Sequence, residues 1–246
     1  MQNLVKINSS DQYLSDSWHA TFWDPKSACR FVAATPAARP DLWGAYLAGA
    51  VRSYRRYGVE QAVEYDQIRD GAGTALFFAA LDQDNHVVGG LRAQGPYTSA
   101  DESHAVREWA GHEGESEVRE VISRRLSGGV VEAKATWASD RATRRDYLVD
   151  ALARLAVHLM PILDVQSVFC TTPTQVVRQW QTTGAVAMPR IAPVPYPDDR
   201  YRTTMVWWDR DTSLHRISAP QLASIRSELA QLRASAEGAP RIGGVA

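Results

Sequence analysis

Glu132 and Lys134 stand two residues apart in the run Val130 to Ala138, VVEAKATWA, which reads as a β-strand. Strict alternation would put Glu132, Lys134 and Thr136 on one face, with Val131, Ala133, Ala135 and Trp137 on the other. A charged pair is unusual on a strand expected to be central, because parallel strands normally read as near-continuous apolar runs. It is either a chemical feature or a solvated, edge-facing ion pair. Just downstream, Arg141, Arg144 and Arg145 fall at the expected start of a helix. The unpaired N–H groups and positive dipole end there bind anions, phosphates especially, and the three arginines add fixed positive charge.

The elements that must hold these residues follow from the periodicity. After a polar turn, Ser139 to Arg145, apolar residues at Leu148, Leu152, Leu155, Ala156 and Leu159 form one helix face, which Pro161 is expected to end. Val165 to Thr171 then reads as a second strand. Strand, helix and strand with short connections make a βαβ crossover with parallel neighbours.

The 246 residues suit one domain with appendages. We divide them into an N-terminal arm (1–25), a body (26–212) and a C-terminal helix and tail (213–246). Lys+Arg is 27 against Asp+Glu at 28, so no global field argues for nucleic acid. Cys29 and Cys170 are too few for a disulfide framework or a zinc site, and no histidine spacing supports a metal. No apolar run is long enough to span a membrane, and the N-terminus lacks a signal-peptide plan, so the expected location is cytoplasmic.

In order, the arm offers Tyr13, Trp18, Phe22 and Trp23 for docking, and Ser27 to Thr35 is the first expected strand. Asp41 is placed to cap a helix that Gly58 closes. Val59 to Gly73 is a polar passage carrying Glu60, Glu64, Asp66 and Asp70, which reads as a solvated acidic helix end. Thr74 to Leu81 and Val87 to Arg92 form a hairpin, with Gly89 and Gly90 marking a bulge or close backbone approach. A long insertion from Gly95 contains a helical stretch, Glu117 to Leu126. Thr174 to Thr182 is a short helix, followed by a strand pair, Ala185 to Met188 and Thr203 to Asp209, around a proline-rich loop. Ser218-Ala-Pro-Gln221 resembles a capping box before a helix with the stripe Leu222, Ile225, Leu229 and Leu232, to be covered by the body or by a second subunit in a homodimer.

This order of elements resembles the GNAT superfamily of N-acyltransferases over about Ala28 to Asp209. The strongest points are Ala33-Ala-Thr-Pro, Val87-Val-Gly-Gly-Leu-Arg92, the Arg141-to-Leu155 turn and helix, and Val176 to Gly184. Within it the pattern is most similar to acyl-homoserine-lactone synthases and long-chain N-acyl amino acid synthases, through Glu64-Tyr-Asp66, Gly89-Gly-Leu-Arg92 and the strand segment Glu132-Ala-Lys134-Ala. Two positions depart. The pyrophosphate turn, Arg141 to Asp146, has no glycine, and the tyrosine that serves many members as general acid falls at Trp180, whose indole cannot usefully give up its proton.

The resemblance implies an α/β (α+β) fold, a mixed central sheet flanked by helices, and transfer of an acyl group from a thioester to a small, amino-acid-like amine. No covalently bound cofactor is implied; the co-substrate is acyl-CoA or an acyl-carrier-protein thioester, with the carrier protein a possible partner of the three arginines. Glu132 becomes the candidate base. The backbone of Thr136, Trp137 and Ala138, with Arg141, Arg144 and Arg145, would hold the donor, and Asp66, Asp70, Arg92 and Lys134 the acceptor. The alternatives are a GNAT-shaped protein that binds a thioester or partner without catalysis, and an acetyl-CoA enzyme with a degenerate turn.

Overall fold

The computed structural model describes residues 14–237. In chain order the elements are β1 (His19–Asp24), β2 (Cys29–Ala34), α1 (Pro40–Arg55), α2 (Tyr65–Ile68), β3 (Thr74–Leu81), β4 (Val87–Gln94), α3 (His104–Glu108), α4 (Glu115–Ser123), β5 (Val130–Ala138), α5 (Arg145–Leu163), β6 (Ser167–Pro173), α6 (Val177–Gln181), β7 (Val186–Ala187), β8 (Thr203–Asp209), α7 (Arg210–Ser213) and α8 (Ala219–Glu237). The strands form one eight-stranded sheet in the order β1-β2-β3-β4-β5-β6-β8-β7. Among the described residues only β5 and β6 pair in parallel, joined across the sheet by α5, which is the expected βαβ crossover. No helix of the described residues is long and apolar enough to cross a membrane.

Several local expectations need correction. The arm supplies β1, a hairpin partner of β2 in which Phe22 stacks on Phe31 at 4.7 Å; Tyr13 lies outside the described residues. Asp41 does not cap α1: the helix begins at Pro40, whose fixed φ suits that position, and Asp41 pairs with Arg39. Pro161 does not end α5, because in the last turn its missing N–H forfeits only one bond; the helix stops at Asp164, in a left-handed conformation. Gln221 does not close a capping box, since its side chain is spent on Arg154 and Thr182.

The core has one large cluster where α5 and α8 cover a face of the sheet, including Leu76, Phe78, Val131, Leu155 and Ile225. Alternation sends Phe77, Ala79 and Leu81 to the opposite face, under α1. On that same face a third cluster gathers Tyr97, Trp109, Val118, Phe169 and Trp207 under α3 and α4. A polar seam runs between these two clusters.

The α8 stripe is covered by this chain's own body: Ile225, Leu229 and Leu232 are buried. Beneath it Glu228 accepts hydrogen bonds from Arg154 and lies 2.7 Å from His158, and Arg154 also reaches Asp24 of β1. α8 further serves the open edge of β1, where Thr21 N–H donates to Ser235, Trp23 N–H donates to Gln231, and Gln231 donates back to the Trp23 carbonyl.

Candidate active site

The pairing of β5 with β6 stops at Glu132 opposite Phe169. Beyond that pair the two strands separate, and a cleft of about 680 Å³ opens between them. A bulge drives part of this. Arg92 faces Lys134 and Gly90 faces Trp137, so β5 carries an extra residue over β4, and Ala135 takes a φ of +48°. The extra residue reverses the alternation. Ala135 and Trp137 turn under α1, away from the face that holds Val131 and Ala133, which corrects the single-face expectation. The Ala135 carbonyl accepts from Tyr46 at 2.8 Å, and a Cβ on Gly90 would meet the Phe78 carbonyl at 2.2 Å, so this glycine is required by close backbone approach.

At the inner end of the cleft lies the polar seam. Glu132 is 0% exposed, so the solvated, edge-facing reading is excluded. Its Oε2 accepts from Tyr97 Oη (2.6 Å), Ser103 Oγ (3.2 Å) and the His104 N–H (3.0 Å). Glu132 itself does not line the cleft, whereas Lys134 and Glu108 do. Lys134 Nζ lies 3.3 Å from Glu64 Oε2 and 3.9 Å from Glu132 Oε1. Glu64, expected to be solvated, is a half-buried hub: its carboxylate meets His104 Nδ1 at 2.7 Å and Arg107 at 3.0 Å, with Arg92 at 3.9 Å. His104 Nε2 in turn lies 2.8 Å from Tyr196 Oη. Glu108 accepts from Thr171 Oγ1 at 3.0 Å, and its other oxygen, buried, has no partner.

Burial and charge set the protonation of these groups. Burial pushes Glu108 up to about 8, the Lys134 charge only partly offsetting it. Burial would raise Glu64 too, but the His104 hydrogen bond and the Lys134, His104 and Arg107 charges outweigh it and hold it at about 2. Lys134 is lowered by burial, against the pull of Glu132, Glu108 and Glu64. His104 is lowered, chiefly by burial, and Tyr196 is raised by burial with help from the Glu108 and Glu64 charges.

The other sequence candidates are dispersed. Arg92 is fully enclosed, donating to Thr74 and Gln94, and has no face on the cleft. Asp66 and Asp70 are exposed outside it, Asp70 closing a turn onto the Ala72 N–H. Thr136, Trp137 and Ala138 line the cleft. Of the arginines, Arg145 reaches the cleft and pairs with Asp140 at 3.3 Å, Arg144 donates to the Pro25 and Lys26 carbonyls, and Arg141 is exposed. Arg178 adds a second exposed cation on the cleft wall. Trp180 lines the cleft with its indole N–H spent on Thr172 at 3.0 Å. Asp82, Asp84 and His86, on the β3–β4 turn, bring possible metal-ligand atoms within 4.8 Å of one another, but Asp82 already accepts the backbone N–H groups of the other two.

No protein-family model matches the chain. Two uncharacterised relatives, Rv1356c of Mycobacterium tuberculosis and Mb1391c of Mycobacterium bovis, are each 44% identical over 221 residues, 90% of this chain and 84% of theirs. In structure the chain is similar to FeeM, an N-acyl amino acid synthase from uncultured soil microbes, with a TM-score of 0.54 and 11% identity over 78% of this chain and 97% of that one. It is also similar to BjaI, a CoA-dependent acyl-homoserine lactone synthase, with a TM-score of 0.52 and 13% identity over 81% of this chain and 88% of that one. At these identities the structural likeness is one of fold.

Proposed function

This chain belongs to the same family as Rv1356c of Mycobacterium tuberculosis and has the GNAT fold, and from that premise we propose that it is an N-acyltransferase that moves an acyl group from a thioester to a small amine. The observation that carries the reading is the cleft opened between β5 and β6, with Glu108 and Lys134 at its polar inner end. The donor's thioester arm would lie along β5 beyond Glu132, against the backbone of Thr136 to Ala138 that β6 leaves unpaired. Arg145 and Arg178 would meet its phosphate, whether that belongs to CoA or to an acyl-carrier protein.

Glu108 takes the base's role in this reading, since the residue lines the cleft and one of its carboxyl oxygens, buried, has no partner. A value near 8 makes it a stronger base than an ordinary carboxylate, suited to removing the acceptor ammonium's proton. Glu132, the candidate from sequence, acts one layer behind, holding Lys134 and the first residue of α3. Lys134 lines the cleft and would supply positive charge to the developing oxyanion. Since Arg92, Asp66 and Asp70 do not reach the cleft, acceptor recognition falls to Glu108 and its neighbours.

One observation favours a second reading, a thioester-binding protein without turnover: the turn Ser139 to Arg144 has no glycine to bring bare backbone onto a pyrophosphate. Incubation with acyl-CoA and acyl-carrier-protein donors and pooled amino acids and alkylamines, read by mass spectrometry, separates the two. An N-acylated amine that Glu108→Gln fails to make supports the enzyme. Donor binding with no product from the unaltered protein rejects it.

A further inference from the structure

We propose that Tyr196, His104 and Glu64 form a proton relay that carries the acceptor's proton from nitrogen to the departing sulfur. The inference rests on the acyltransferase reading, and it supplies the acid that Trp180 cannot.

The geometry is a continuous chain, with Glu64 Oε2 2.7 Å from His104 Nδ1 and His104 Nε2 2.8 Å from Tyr196 Oη. Its direction follows from charge. Glu64 is ionised by its cationic neighbours, so it accepts the Nδ1 proton, which leaves Nε2 bare to accept from the Tyr196 hydroxyl. The charged groups around the imidazole are Glu64, Arg107 and Glu108 on the helical side and Lys134 and Glu132 on β5. The His104 backbone N–H donates to Glu132, and the ring is oriented by Glu64 at Nδ1 and Tyr196 at Nε2. Tyr196 comes from the loop between β7 and β8 and lines the cleft, and a hydroxyl that donates to His104 still has lone pairs to accept with. Other tyrosines line the cleft, but Tyr54 donates to the Thr136 carbonyl and none of the others is bonded to an imidazole among the described residues.

The step balances. The neutral amine attacks the carbonyl carbon, a C–N bond forms, and the carbonyl pair moves to oxygen. The nitrogen, now cationic, gives a proton to Tyr196 Oη as the phenol's own proton passes to His104 Nε2, and Glu64 stabilises the imidazolium. Collapse restores the carbonyl and breaks the C–S bond. The sulfur then takes a proton from Tyr196, and His104 returns one to the phenol. No co-reactant is needed.

The test uses the donor and amine that react in the screen above, in two forms of donor: an alkyl thioester and the matching 4-nitrothiophenol ester. The aryl thiolate leaves without a proton. Tyr196→Phe should lower kcat on the alkyl thioester by about 10²-fold or more, and the deficit should shrink to within about threefold on the aryl ester. His104→Gln, which still accepts from Tyr196 but cannot take its proton, should show the same rescue. Glu108→Gln should show none. Full activity of Tyr196→Phe on the alkyl thioester, or an equal loss on both donors, overturns the relay while leaving the acyltransferase reading intact. An unaltered protein that acylates no amine overturns that reading itself.

Discussion

Glu108 Oε1 lies 3.6 Å from His104 Nε2, one helical turn away on α3, yet the imidazole nitrogen is closer to Tyr196 Oη, at 2.8 Å. The carboxyl is therefore left with a hydrogen bond from Thr171 and one buried oxygen that has no partner. Two proton-active groups thus share one wall without neutralising each other.

The first consequence is kinetic. With Glu108 raised to about 8 by burial, kcat/KM should climb as pH passes about 8, where the carboxylate appears. Glu108→Gln should cost about 10² to 10⁴-fold at neutral pH and erase that inflection, leaving only the acceptor amine's own titration. An unchanged inflection in the variant would assign it to another group.

Stability should respond with the opposite sign. Between the ordinary 4.5 and about 8, folded Glu108 holds a proton that the unfolded chain has lost, so its burial costs more as pH rises through that window. Glu64 behaves inversely: its contribution is complete above 4.5 and is lost as pH falls toward about 2. Urea unfolding at pH 5 and pH 8 checks this, since Glu108→Gln should lose less stability between the two than the unaltered chain does. Equal losses would mean that Glu108 is not buried in its neutral form.

Glu132→Gln tests the division of labour in the seam. It removes the charge that three donors share and sets an amide against one of them, so a loss of about 1.5–3 kcal/mol is expected. Turnover should stay within about tenfold, well short of the loss expected for the base itself. A variant of normal stability with turnover reduced by about 10² would return the base to Glu132.

The arginines should divide by position. Arg145→Ala with Arg178→Ala should raise the donor's KM at low salt, with the effect shrinking as exposed charges are screened. Arg144→Ala should lower Tm instead, because its guanidinium ties the turn to the Pro25 and Lys26 carbonyls. A donor KM indifferent to Arg145 and Arg178 would place the phosphate elsewhere.

Glu228→Gln should be among the costliest single changes. It leaves the buried Arg154 guanidinium without its main counter-charge, a kind of loss worth about 3–5 kcal/mol. Denaturant titration measures it, and a change below about 1 kcal/mol would mean that Asp24 alone holds Arg154.

Much of the frame was legible. β5 has the bounds its alternation gives, and β3 and β4 pair as the turn-rich Asp82 to His86 predicts. Those are local signals, and local signals survive folding. The site is different: Glu64, His104, Glu108 and Tyr196 come from stretches that read as a polar passage, an insertion and a proline-rich loop. Their local hints are the Glu64-Tyr-Asp66 run that the resemblance picks out and the spacing of His104 and Glu108, four residues apart on a helix that Ser103 caps. Composition cannot separate a solvated carboxylate from one half-buried among three cations, which is why Glu64 reads as surface. The bulge was legible on one strand alone: Gly89 and Gly90 mark its place on β4, whereas Ala135 on β5 carries no residue-type mark of its positive φ.

The bonds from α8 to the rim of β1 impose an order in time. Thr21 and Ser235 are 214 residues apart in sequence, so a ribosome has finished every strand before it releases the segment that caps the first one. Throughout synthesis the emerging sheet presents an unguarded edge, and Arg154 awaits its partner on α8. Completion of the helix closes both at once, so a nascent chain stalled before residue 219 is the form most exposed to strand-to-strand association and to chaperone capture.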